Sequence, residues 1–211
     1  MKITKFVHSC LLIEHADMTV LIDPGSYSWE SRLISVNHLP KLDYIVVTHE
    51  HPDHYHPPFL KALSAQFPYS PIVTNSDLSG RLVGEGLPNP IVTAGNEKLE
   101  VFEAAHEPLP LNQPVPKNIG VHVGGVITHP GDALHISQTK SVLALPITAP
   151  WGSLKQSLEQ AVELKPRIIL PIHDWHWHQA ARTQMYAFGQ RLLEPYGIRL
   201  MPLQNAQTVE L

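Results

Sequence analysis

Hydrophobic positions along the chain fall into short runs separated by polar and turn-forming residues. Runs at 3–7, 11–14, 19–22, 44–47, 72–74, 100–105, 120–127 and 142–145 favour β-branched and aromatic residues, which predicts strands. The stretch Tyr44-Ile45-Val46-Val47 is continuous rather than alternating, the pattern of a strand covered on both faces. Elsewhere helical spacing takes over. A helix over 57–66 can carry proline in its first turn, and one over 76–83 can be capped by a serine or aspartate. Over 153–162, Leu154, Leu158, Ala161 and Val162 share one stripe behind a Ser153 N-cap. The segment 179–193 reads as the last long helix. Periodicity alone gives a mixed α/β class and no finer arrangement.

Length and composition narrow the function classes. A chain of 211 residues fits a single domain, 1–211, with a sizeable core. Apolar content of 43% with 16% charged residues is that of a soluble globular protein rather than a disordered one. A net charge of -4 without a Lys/Arg cluster gives no electrostatic footprint for nucleic acid, so no nucleic-acid partner is expected. The single Cys10 rules out an intramolecular disulfide. The N-terminal residues lack a signal-peptide pattern, and no run approaches about 18 apolar residues, so no membrane association is expected and the cytoplasm is the default. Prolines cluster at 108–116, which reads as a stiff loop.

Candidate chemistry changes the picture most. Directly after the buried strand, Thr48-His49-Glu50-His51-Pro52-Asp53-His54 packs three imidazoles and the Asp53 carboxylate into six positions. Neutral imidazoles suit Zn²⁺ and similar divalent ions, Asp53 supplies negative charge, and His54 offers a nitrogen to a second ion. The spacing fits two metals better than one. Pro52 biases His51 towards an extended conformation, and Asp53 stands where a zinc-protease H-E-x-x-H helix needs histidine.

His49-x-His51-x-Asp53-His54 resembles the H-x-H-x-D-H signature of the metallo-β-lactamase superfamily. His8-Ser9-Cys10-Leu11-Leu12-Ile13 followed by Val20-Leu21-Ile22-Asp23-Pro24-Gly25 is similar to the opening strands of its compact metal-dependent hydrolase branch, which includes L-ascorbate-6-phosphate lactonase-like proteins. The resemblance implies an α/β fold of four layers, αβ/βα, with strands sandwiched by outer helices. It further implies that His106 after the strand at 100–105, Asp132 after a strand at 120–128, and His173 after the apolar run 168–172 complete the site. On that pattern His49, His51 and His106 hold one ion, Asp53, His54 and His173 the other, and Asp132 bridges them. Two divalent ions are expected, zinc by default, with Mn²⁺ and Fe²⁺ equally compatible with the nitrogen and oxygen donors.

The expected activity is hydrolysis, by metal-activated hydroxide, of a small and anionic lactone, ester, amide or phosphoester. Asp53 and Asp132 are the candidate catalytic carboxylates. The alternative is a non-hydrolytic metal-binding sensor or scaffold of the same fold. The partner is a small-molecule substrate, and a homo-oligomer is left open. Around the core set, His8 reads as a packed support rather than a ligand, Tyr55, His56 and Trp151 as pocket candidates, and His129 and His135 as neighbours of Asp132. The run Trp175-His176-Trp177-His178 departs from the family pattern and serves either as pocket wall or as packing.

Overall fold

The first sheet is assembled from both ends of the chain. The computed structural model describes residues 1–211 and divides into two units, 1–96 with 204–211, and 97–203. In the first unit, β1 (Lys2–Lys5), β2 (Leu11–His15), β3 (Met18–Ile22), β4 (Tyr44–Val47), β5 (Ile72–Thr74) and β6 (Ile91–Val92) lie side by side, with the final strand of the chain (Gln207–Glu210) added at the β1 edge. A short α1 (Ser26–Glu30) follows β3, and α2 (Pro57–Gln66) and α3 (Ser76–Gly84) flank β5. Leu21, Ile45, Val47 and Ile72 from the sheet pack with Phe59, Leu60 and Leu63 of α2 and Leu78 and Leu82 of α3. The opposite sheet face, with Val20, Ile22, Val46 and Val73, is also fully buried, as the unbroken apolar run of β4 requires.

The second unit repeats the principle. Its six-stranded sheet contains β7 (Leu99–Glu103), β8 (Ile119–Val123), β9 (Ile127–His129), β10 (Val142–Pro146), β11 (Ile168–Ile172) and β12 (Arg199–Leu200). Leu143, Leu145 and Ile169 bury against Leu158 and Ala161 of α4 (Leu154–Leu164) and Tyr186 and Leu193 of α5 (Gln179–Leu193). Helix α4 begins in a capping box, with Ser153 and Gln156 exchanging side-chain and backbone bonds.

Two local expectations need correction. The run 120–127 is not one strand but the β8–β9 hairpin, because Gly124 and Gly125 both adopt positive φ and turn the chain back. The cap of α3 is Asn75, whose side chain accepts from the Asp77 and Leu78 amides, rather than a serine or aspartate.

Strand direction places the chemistry. β3, β4 and β5 run parallel, and β1 shares their direction because two antiparallel pairings separate it from β3. In the second unit β7, β9, β10 and β11 likewise point one way. The loops leaving these strands at their carboxyl ends therefore share one sheet edge in each unit, the usual place for a ligand in α/β sheets. No helix is long and apolar enough to cross a membrane.

Candidate metal centre

In the first unit the hexad leaves β4 beside the loops that follow β1 and β3. His49, His54 and His8 are fully buried. The carboxylate of Asp23, directly after β3, accepts the Thr48 amide at 2.8 Å, the Thr48 hydroxyl at 2.9 Å and His54 Nδ1 at 2.7 Å. A carboxylate only accepts, so His54 Nδ1 carries a proton, and its Nε2 lies 3.8 Å from Asp53 Oδ2. The Thr48 hydroxyl donates to Asp23, so its oxygen accepts from His49 Nδ1 at 3.1 Å and orients that ring. His49 Nε2 lies 3.1 Å from His51 Nδ1. Two nitrogens on one tetrahedral ion with bonds of about 2.0–2.1 Å would stand roughly 3.3 Å apart, so this spacing suits a shared ion. His8 Nε2 approaches Asp53 Oδ2 at 3.1 Å, and the ligand atoms of His8, Asp53 and His54 all lie within 4.8 Å of one another.

In the second unit His106, Asp132 and His173 meet. His106 Nδ1 donates to the Glu107 carbonyl at 2.6 Å and His173 Nδ1 to the Thr148 carbonyl at 2.7 Å. Carbonyls cannot donate, so both rings carry a proton on Nδ1, and in a neutral imidazole Nε2 is then the nitrogen that can ligate. Those nitrogens face the same atom, Asp132 Oδ2, at 3.5 and 3.3 Å. These buried nitrogen and oxygen groups could hold a cation, and their chemistry matches divalent zinc, manganese or iron. The indole Nε1 of Trp151 donates to Oδ2 at 3.2 Å. Asn118 braces the turn, donating to the Ala104 and Pro130 carbonyls and accepting from the Asp132 amide.

Three of the nine non-glycine residues with positive φ lie at these positions. His8, Asp23 and His173 have φ of 62°, 50° and 60°, a region costing side-chain-bearing residues of order 1–3 kcal/mol each. Packing and hydrogen bonds around them hold that strain, which is the usual signature of a functional constraint.

A sequence model of the beta-lactamase superfamily domain matches residues 2–173. The chain belongs to the beta-lactamase superfamily. Protein Rv0786c of Mycobacterium tuberculosis is 30% identical over 187 residues, 82% of this chain and 84% of its own length. Igni18, described as a metallo hydrolase from Ignicoccus hospitalis, matches with a TM-score of 0.70 at 17% identity over 99% of this chain and 97% of its own. The metallo-beta-lactamase fold protein YhfI of Bacillus subtilis gives 0.69 at 15% identity over 99% of both chains. The α/β architecture of two sheets and five helices is thus the metallo-β-lactamase fold of this superfamily.

Within this superfamily member the expected ligands form two groups. His49, His51, Asp53 and His54 gather in the first unit and His106, Asp132 and His173 in the second. Glu50, inside the hexad, points away to an exposed pair with Arg81. His129 is buried and accepts the Gly131 amide, while His135 is an exposed partner of Glu107. The run after His173 divides: Trp175 is exposed, Trp177 packs near Tyr186, and His178 caps α5. Tyr55 bonds Glu85, and the His56 ring lies 6.1 Å from that of Trp29. Sequence reasoning missed Asp23, Asn118 and the Trp151 hydrogen bond. Asp23-Pro24-Gly25 directly after a buried strand was the available signal for the first.

Proposed function

We propose that the chain is a metal-dependent hydrolase that uses two divalent ions. His49, His51, Asp53 and His54 of the first unit and His106, Asp132 and His173 of the second would supply the ligands. The observation that carries this reading is the shared orientation of four imidazoles. His49, His54, His106 and His173 each set Nδ1 against an oxygen and turn Nε2 towards another candidate ligand. A packing role would not require four buried imidazoles to be oriented alike.

Bound divalent ions supply Lewis acidity, polarising an electrophile and making water acidic near neutral pH. The chain's own groups do the remaining work. Asp23 and the Thr148 and Glu107 carbonyls hold the imidazoles in orientation, and the His8 contact steadies the Asp53 carboxylate, which is the group available to take a proton. Two dications set against Asp23, Asp53 and Asp132 leave roughly one positive charge, which favours an anionic substrate or an oxyanion. Small lactones, esters, amides and phosphoesters fit that requirement, including sugar-acid phosphates of the ascorbate-phosphate kind.

Turnover of a panel of small lactones, esters and phosphodiesters by protein reconstituted with zinc, manganese or iron tests the reading. Metal-dependent hydrolysis that disappears in His51→Ala is the expected result. Full activity in His51→Ala would sink the proposed site, and metal uptake without turnover across the panel would favour a binding protein of the same fold.

A further inference from the structure

We propose that Trp151 is a positioning residue for Asp132, and that the loop between β10 and α4 sets Asp132 and His173 together. The inference rests on the metal-centre reading above and adds a residue that reading does not require.

The loop is short and tightly tied. Its first residue, Ile147, still pairs with β11 through its amide and the Ile172 carbonyl at 3.0 Å. The next residue, Thr148, gives its carbonyl to His173 Nδ1 at 2.7 Å. Ala149 and Gly152 then close the turn with reciprocal backbone bonds of 3.2 Å, which fixes where Trp151 stands. Its ring lies 5.3 Å from that of His173 and 5.9 Å from that of His106, with Nε1 donating to Asp132 Oδ2 at 3.2 Å. One turn of chain thereby reaches two prospective ligands that arrive on different strands.

Donor chemistry narrows the role. An indole N–H can only donate, so Trp151 cannot coordinate an ion itself. It can hold one lone-pair direction of Oδ2 and so fix how the carboxylate would meet a cation. Ring packing alone would fill the space equally well with phenylalanine and would not aim a donor at the oxygen that both imidazoles face.

Trp151→Phe keeps ring bulk and removes the donor. Zinc affinity is measured by competition with a chromophoric chelator, alongside the thermal midpoint of the metal-free protein and the visible spectrum of the cobalt-loaded form. Loss of a hydrogen bond that orients a ligand typically weakens metal binding about 10–100-fold. The expected result is a fall of at least about tenfold in zinc affinity with an unchanged metal-free midpoint and an altered cobalt band. Unchanged affinity overturns the proposal, as does a fall accompanied by a lowered metal-free midpoint, which would mark a general packing role. Wild-type protein that takes up no zinc overturns the metal reading along with it, whereas normal wild-type uptake with an indistinguishable variant overturns the role of Trp151 alone.

Discussion

Asp23 Oδ2 accepts the Nδ1 proton of His54 at 2.7 Å, with both side chains wholly out of solvent. The same carboxylate takes the amide and hydroxyl of Thr48, and that hydroxyl in turn contacts His49 Nδ1. One buried acid thus orients two histidines of the hexad, directly and through a threonine. Asp23→Asn replaces an acceptor with an amide whose NH₂ meets donors, so metal affinity should fall about 10–100-fold. Chelator competition on the two proteins checks this, and equal affinities would remove Asp23 from the account.

Gly25 makes a second, steric prediction. A Cβ there would sit 1.7 Å from the Asp53 carbonyl oxygen, which is backbone and cannot swing aside. Gly25→Ala must push the 52–54 segment away, at a cost of about 1–3 kcal/mol by the usual overpacking scale. Denaturant unfolding should show that loss together with weaker metal binding. A variant of wild-type stability would mean that the two loops separate without penalty.

The hexad of this candidate centre is legible in the sequence, and the reason is local. Three histidines and Asp53 leave a single strand within six positions, so neighbouring residues carry the signal. His106, Asp132 and His173 are far apart along the chain, and the family resemblance rather than spacing brought them in. Asp23, Asn118 and Trp151 act through hydrogen bonds formed only when separate loops meet, and no periodicity marks such contacts. The β8–β9 hairpin was missed for a different reason. The β-branched residues on both sides of Gly124-Gly125 read as one run, although the paired glycines were the turn signal.

Cys10 is buried, and burial pushes its thiol up to about 12. It should stay a protonated, unreactive thiol at pH 8. A disulfide reagent such as DTNB should release colour only after denaturant is added. Rapid labelling of the native protein would contradict the buried placement.

His122 predicts a pH effect on stability. Burial, with the nearby Lys140 charge, lowers its pKa below the ordinary 6.5, while Glu100 opposes the shift. The unfolded chain therefore takes up this proton near pH 6.5 and the native chain only at lower pH. Stability should fall as pH drops below about 6.5 towards the native pKa, and this group contributes no slope above that window. His122→Gln, which does not titrate, should show a shallower decline between about pH 7 and 5 in denaturant titrations. Parallel declines in the two proteins would refute the assignment.

The most direct test of the metal centre is ion content, measured by elemental mass spectrometry on protein purified without chelator and then reconstituted. The account predicts about two divalent ions per chain, with the content lowered by His51→Ala. A folded chain that retains no ion after reconstitution with zinc, manganese or iron would contradict it.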